Sequence, residues 1–217
     1  MSELFDEVDE DVRRDQLKKL SEKYSIYIVA LALLIIAGVG GWRGYQYLEA
    51  KKAAEAGAAF DKAVELSEAN KHTEAEAAFA DLAAKAPSGY RTLARLRAAA
   101  EVASRDKQAS AKMFDDIAAD SSVGAPERDL ARVRAAQLLL ETTTYPNMLQ
   151  RLESSTTKDA TFRHTARELL VLAFWRAGDA GQAKRWLDLM MSDPQTPPAV
   201  RSRVEMLMAL GPTAGSS

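Results

Sequence analysis

The sequence predicts an all-α protein, in which one apolar helix near the N-terminus precedes a solenoid of helix-turn-helix units. Three observations lead to this prediction. The 217 residues include only 11 glycines and 7 prolines and are rich in alanine, which favours helices over turn-rich β folds. The stretch 24–42 carries no charged side chain. A heptapeptide also recurs, almost unchanged, 37 positions further along the chain.

The bulk composition argues against several classes of function. The formal net charge is only −2, so the chain has no strong overall field that would attract nucleic acid. The chain contains no cysteine, which removes disulfide bonds, thiolate zinc sites and cysteine nucleophiles. We therefore expect no nucleic-acid partner, and any attachment to a membrane must be made by the polypeptide itself.

The uncharged stretch has the length and flanks of a membrane-spanning helix. At the rise of an α-helix it is about 28 Å long, close to the hydrocarbon thickness of a bilayer. Aromatic residues that favour the headgroup level lie at both ends, with Tyr24 at one end and Trp42 at the other. A buried core helix and a cleaved signal peptide are the alternatives. The long acidic start and the flanking charges favour an uncleaved transmembrane helix over 24–44.

Basic residues near this helix predict its orientation. Five precede it and three follow it, a bias toward a cytoplasmic N-terminus. We therefore expect a single-pass membrane protein, with a cytoplasmic charged segment over 1–23, a domain outside the cytoplasm over 45–210 and a disordered tail over 211–217. The acidic start also has a thin apolar stripe, so it is either an amphipathic docking helix or a partly ordered tail whose basic residues set the topology.

Small residues recur near the end of the apolar stretch. Ala37 lies four positions before Gly41, and Gly40 lies four positions before Gly44. Residues with this spacing share one helical face, where a second membrane helix can approach closely. The alternative is that glycine is merely tolerated at the end of the span.

The recurring heptapeptide indicates a solenoid. A period in the mid-thirties is typical of helix-turn-helix repeats, whose units bury their apolar faces only by stacking on their neighbours. The two copies are Leu93-Ala94-Arg95-Leu96-Arg97-Ala98-Ala99 and Leu130-Ala131-Arg132-Val133-Arg134-Ala135-Ala136. The predicted helices after the span are 45–69, 73–86, 89–104, 107–119, 126–142, 146–154, 160–177, 180–192 and 197–210.

Two helix pairs carry a recognisable pattern of small and large residues. Ala75, Phe79, Leu82 and Pro87 follow the turn at 69–71 with the spacing of the second helix of a tetratricopeptide unit. Near the C-terminus, a Gly-Asp turn at 178–179 precedes Ala183, Leu187 and Met190, which repeat that spacing. The chain therefore resembles the tetratricopeptide family. Ser110, Phe114 and Ile117 keep the spacing without a suitable proline, and 145–149 is a weaker match.

The order of the parts narrows the resemblance. An acidic start that contains Val12-Arg13-Arg14, a single span and an alanine-rich repeat domain together resemble the YfgM-type family of Gram-negative bacteria. The resemblance implies that the span lies in the inner membrane and that the repeat domain over 45–210 is periplasmic. It also implies an ancillary subunit of the SecYEG translocon that works with a PpiD-like periplasmic chaperone in protein export. The repeat domain is also similar to that of the division coordinator CpoB, so the alternative is an envelope or cell-division adaptor.

Arginines are the candidate binding residues. Arg95, Arg132 and Arg167 occupy similar places in successive first helices of the repeats, which line the concave face of such solenoids. Guanidinium groups there would bind carboxylates or backbone carbonyls of a protein partner. The alternative is that these arginines pair with acidic residues of the chain itself.

The sequence offers little for catalysis. There are only two histidines, and no nucleophile motif is present. His164 and Glu168 lie four apart, a spacing that suits a shared metal but is more often an ordinary helix-surface pair. We therefore expect no enzyme activity, no cofactor or metal site and no small-molecule substrate.

Overall fold

The computed structural model describes residues 3–209, and its side chains over 24–27, 29–206 and 209. The side chains of the predicted cytoplasmic segment and the predicted tail over 211–217 lie outside these ranges. The described residues form nine α-helices and one short 3-10 helix, Glu153–Thr156, without strands. The helices are α1 (Glu3–Glu68), α2 (His72–Lys85), α3 (Ser88–Val102), α4 (Lys107–Ala119), α5 (Ala125–Leu139), α6 (Tyr145–Leu152), α7 (Arg163–Arg176), α8 (Ala180–Met191) and α9 (Pro198–Ala209).

The prediction of an all-helical fold is confirmed, and most helix ends fall within one to three residues of the predicted ends. The main difference is α1. The helix predicted to begin at residue 45 is the C-terminal part of α1, which continues through this point because the range 24–68 contains no proline.

The chain divides into two compact units, 1–52 and 53–217. In the first unit, α1 contains an 18-residue window with a mean hydropathy of 2.2, and none of that window is buried. It is the one helix of the described residues that is long and apolar enough to cross a membrane. Soluble core helices meet the same criterion, but those are mostly buried, whereas the large apolar side chains of this window are exposed.

The second unit consists of antiparallel helix pairs whose turns have clear local causes. Asn70, at φ 59°, and Gly178, at φ 77°, reverse the chain after α1 and α7. Asp106 and Asp179 cap α4 and α8, because the carboxylate of each accepts hydrogen bonds from backbone N–H groups of the first turn. Proline occupies the first turn of α5 and of α6, where it costs no hydrogen bond.

Three apolar clusters lie one after another along the second unit. The first joins the end of α1 to α2 and α3, the second joins α3, α4 and α5, and the third extends from α5 to α9. The first two clusters consist mainly of alanine, with Phe79 and Phe114 as their large members. Each cluster is built from neighbouring helix pairs, as expected of stacked repeats.

The residues that carry the repeat pattern lie in these clusters. Ala75, Phe79 and Ala183 are fully buried, and Met190 is as well. Three large aromatic residues, Trp186, Phe174 and Phe114, are buried as well. Phe60 is an exception, because its side chain stays partly exposed although its ring centroid lies 5.2 Å from that of Phe79.

Alanine at position 75 sets the distance between packed helices, and this gives the first prediction. We expect Ala75→Leu to lower the free energy of unfolding by roughly 1 to 3 kcal/mol, because the added atoms have no space between α2 and its neighbours. Urea unfolding of the full chain in detergent, followed by circular dichroism, measures the change. Ala77→Leu is the matched control on the exposed face of the same helix and should change stability little. Equal stability of the two variants would contradict the packing argument.

Candidate protein-binding groove

A groove of about 730 Å³ lies along the first helices of the repeats, within the second unit. Its wall is formed by Phe60 of α1 and by residues of α3 and α5, and Phe114 of α4 lies at its base. Most of the lining side chains are apolar, and Leu93 is 49% exposed. The complete lining is Phe60, Leu93, Leu96, Arg97, Ala100, Ala103, Lys107, Phe114, Leu130, Arg134, Gln137 and Leu138.

The two copies of the heptapeptide form the centre of the groove. In each copy the first residue, a leucine, and the fifth, an arginine, line the groove. The second, sixth and seventh residues are alanines buried against neighbouring helices. Residues four apart share one helical face, so burial of the alanines directs the leucine and the fifth-position arginine to the opposite, open side.

The groove is positively charged. Its lining includes Arg97, Lys107 and Arg134, and none of its described lining residues is acidic. Arg134 donates a 3.3 Å hydrogen bond to Gln137, and Lys107 Nζ lies 3.8 Å from a carboxylate oxygen of the exposed Glu141. The groove therefore combines an apolar surface with cations that remain open to a ligand.

The predicted arginines Arg95 and Arg132 do not line this groove. Arg95 donates to Asp120 at 2.6 Å and thereby links α3 to the end of α4. Arg132 donates to Asp129 at 2.8 Å and borders a separate polar depression beside Arg151 and Asp115. The structure instead places Arg97 and Arg134, two residues further along each copy, in the groove.

Arg167 is buried, and its guanidinium is satisfied within the chain. It donates to the backbone carbonyl of Thr156 through Nε and Nη2, and Nη1 lies 3.2 Å from the carboxylate of Asp193. Asp193 also accepts from Arg163 at 2.9 Å. These bonds connect α7 to the loop after α8, so the observed role of Arg167 is structural. A role of the three predicted arginines in binding a partner stays a prediction.

The sequence contains a signal that distinguishes the groove arginines, Arg97 and Arg134, from the predicted Arg95 and Arg132. Both heptapeptides carry arginine at the third and at the fifth position, and the alanines around them define the buried face. Around the helix axis the third position falls between the sixth and seventh, which are buried alanines, so an arginine there lies next to a neighbouring helix and can form an ion pair with it. The fifth-position arginines lie four residues after the first-position leucines and share their face.

Several polar groups elsewhere in the second unit make structural contacts. Ser67 donates to Glu101 at 2.6 Å, and His72 Nδ1 lies 2.7 Å from the other oxygen of that buried carboxylate. This network ties α1, α2 and α3 together. Glu168 accepts a bidentate pair from Arg203, so it does not share a ligand with His164. Among the described residues there is no group of three side chains suited to hold a metal ion.

The surroundings of His164 disfavour its protonated form. Burial lowers its pKa, the nearby charge of Arg163 lowers it further, and Asp193 acts in the opposite direction. Its Nδ1 lies 3.1 Å from the hydroxyl of Thr196, which itself donates to the carbonyl oxygen of Met190. The imidazole therefore donates to Thr196 through Nδ1, and it acts here as a packing element between α7 and the loop before α9.

The small residues of the membrane-span candidate are open. A Cβ atom added at Gly40, Gly41 or Gly44 would meet no atom within 4 Å, and Ala37 is exposed on the same helix. Packing of another membrane helix on this face stays a prediction.

The buried position of Arg167 gives a second prediction. Arg167→Ala should lower the free energy of unfolding by more than about 1 kcal/mol, because it leaves the Thr156 carbonyl without its donors and removes a cation from Asp193. Arg97→Ala is the matched control, since that arginine is exposed in the groove, and its effect should stay below about 0.5 kcal/mol. Urea unfolding of both variants measures the difference. A larger loss for Arg97→Ala would contradict this assignment.

The ion pair of Arg95 gives a prediction about pH. Hydrogen bonds from Ser122 and then from Arg95 lower the pKa of Asp120 from 3.8 to about 2. Because the folded state binds this proton more weakly than the unfolded state, the contribution to stability is complete above the unfolded pKa and is lost as the pH falls from about 4 to about 2. Asp120→Asn should therefore flatten the decline of the urea midpoint between pH 5 and pH 3. The control Asp159→Asn, at an exposed loop carboxyl group, should leave the decline unchanged.

Comparison with known proteins identifies the family. A family model described as a tetratricopeptide repeat-like domain matches residues 18–193, which covers most of the chain. No curated protein and no solved structure gives a match. The matched range includes both copies of the heptapeptide and the helix pairs that form the groove. The chain thus belongs to the tetratricopeptide repeat-like domain family.

Proposed function

We propose that this protein is a membrane-anchored, non-catalytic scaffold that binds other proteins in the groove between α1, α3 and α5. The observation that carries the proposal is the groove itself. Its lining is mostly apolar, Leu93 is 49% exposed within it, and the cationic side chains of Arg97, Lys107 and Arg134 belong to the same lining. An exposed apolar surface with a polar rim is typical of an interaction site.

Membership of the tetratricopeptide repeat-like family supports a scaffold over an enzyme. The titratable side chains with strongly lowered pKa values, Asp120 and Asp193, are engaged by neighbouring residues in ion pairs away from the groove. No acid, base or nucleophile of the described residues faces another such group in the groove lining. The lining suits contact with a polypeptide.

The membrane anchor in this proposal is the apolar part of α1. Its length, its exposed apolar side chains and the aromatic residues at its ends support a single span. The excess of basic residues on the N-terminal side supports a cytoplasmic start and a repeat domain in the periplasm. The groove would then face proteins of the periplasm or the outer surface of the inner membrane.

The proposed assignment of partners rests on the resemblance to the YfgM-type family. It makes the SecYEG translocon the membrane neighbour and a PpiD-like chaperone the periplasmic partner, so the scaffold would act on proteins as they emerge from the channel. Two features of the chain agree with this role. The anchor would place the domain at the membrane, and the groove would provide a contact surface with no need for a catalytic centre.

Site-specific crosslinking tests the proposal. A photoreactive amino acid placed at Leu93 in the full chain should crosslink in intact cells to a translocon subunit or a periplasmic chaperone, because this side chain lies open in the groove. The same photoreactive residue at Lys158, on an exposed loop outside the groove lining, is the matched control and should give few products. Mass spectrometry of the products identifies the partners.

The possible outcomes separate the parts of the proposal. Division or envelope proteins in place of translocon subunits would favour the adaptor role. Equal crosslinking from Leu93 and Lys158 would contradict the groove as the contact surface. Protease added after the outer membrane is opened should digest the repeat domain. Protection until the inner membrane is lysed would overturn the orientation and, with it, the role in export.

A further inference from the structure

The two arginines of each heptapeptide have different partners, although their sequence contexts are nearly the same. The third-position arginines, Arg95 and Arg132, pair with carboxylates of the chain at 2.6 and 2.8 Å. The fifth-position arginines, Arg97 and Arg134, have no carboxylate within 4.0 Å among the described residues. Asp120 and Asp129 are engaged by the third-position arginines, so both groove arginines can pair with carboxylates of another molecule.

Each groove arginine lies beside an apolar side chain. Leu93 precedes Arg97 by four residues on α3, and Leu130 precedes Arg134 by four residues on α5, so each helix presents one leucine and one guanidinium on the same face. The two helices therefore present the same pair of chemical groups twice. A ligand that matched both would carry carboxylates next to apolar groups, with the apolar groups repeated.

We propose that the groove binds an acidic segment of a partner protein whose apolar side chains cover Leu93 and Leu130 while its carboxylates pair with Arg97 and Arg134. This inference rests on the proposed function as a protein scaffold and adds the chemistry of the partner. Guanidinium groups bind carboxylates through two parallel hydrogen bonds, which makes arginine suited to recognise acidic side chains. The apolar lining of the groove adds area that such a segment covers.

The charges of the groove exclude the opposite kind of segment. Lys107 adds a third cation, and its 3.8 Å contact with Glu141 joins two exposed side chains, so that pair is weak and Lys107 is available to a ligand. A basic segment would bring like charges against three cations, which costs affinity even where its apolar groups fit. The groove therefore discriminates between acidic and basic segments. A surface that binds unfolded chains through apolar contacts alone would not discriminate by charge.

The test uses the full chain in detergent micelles and three labelled synthetic peptides. One is composed of leucine, glutamate and alanine, the second replaces each glutamate with lysine, and the third replaces each leucine with serine. Fluorescence anisotropy should show binding of the first peptide, at least about tenfold tighter than that of either other peptide. Raising the salt concentration should weaken binding of the acidic peptide, because its exposed ion pairs are screened.

Two double variants make the test specific for the groove arginines. Arg97→Gln combined with Arg134→Gln should weaken the acidic peptide by at least about tenfold. Arg91→Gln combined with Arg185→Gln is the matched control, because it removes the same charge from exposed arginines outside the groove lining. Circular dichroism confirms that each variant is folded. Unchanged affinity in the groove variant, or equal affinity for the acidic and basic peptides, would overturn the inference.

Failure of the inference is distinguishable from failure of the proposed function. Crosslinking in cells from the photoreactive residue at position 93 tests the scaffold role independently of the peptide experiment. Crosslinks that persist in the Arg97→Gln, Arg134→Gln background would leave the scaffold role intact and contradict the recognition of an acidic segment. Loss of those crosslinks in this background, with retention in the Arg91→Gln, Arg185→Gln background, would support both proposals.

Discussion

The close contact of alanine faces between neighbouring helices is the constraint on which the rest of the repeat domain depends. Ala63, Ala75, Ala94 and Ala131 are completely buried, and each lies where a larger side chain would separate two helix axes. Because these helices meet through methyl groups, the groove side of α3 and α5 is left with side chains that have no place in the core. The exposed Leu93 and the exposed arginines of the groove are therefore a consequence of how tightly the opposite faces pack.

Ion pairs then connect what the alanines bring together. Arginines join α3 to the end of α4, α7 to the loop after α8, and α9 to α7. Contacts between alanine methyl groups do not fix the position of one helix along the axis of its neighbour. Hydrogen bonds between charged groups have stricter geometry, so these pairs restrict the sliding. Gly57 of α1 allows a close approach to α3, because a Cβ atom added at Gly57 would lie 2.9 Å from the Tyr90 hydroxyl.

Much of the fold could be predicted from local signals in the sequence. Periodicity, the turn at Asn70, the Gly178-Asp179 corner and the first-turn prolines act within a few residues, and the structure confirms them. The direction of the arginines was less predictable. Residues 95 and 97 differ by about 200° around the helix axis. A shift of two positions therefore moves a side chain from the groove side of the helix to the opposite side. The third position falls on the side of the buried alanines and the fifth position falls on the opposite side, but the pairing of Arg95 depends on where tertiary packing places Asp120.

The division of the apolar core into three successive clusters also affects how the domain opens. The groove is formed by helices of the first two clusters, whereas the bulky aliphatic and aromatic residues are concentrated in the third, around Leu170 and Met190. In a stack whose units touch only their neighbours, the end units can open and close without unfolding the middle. A ligand in the groove would therefore protect the amide protons of α3 and α5 from exchange without slowing exchange in α8 and α9, which belong to the third cluster.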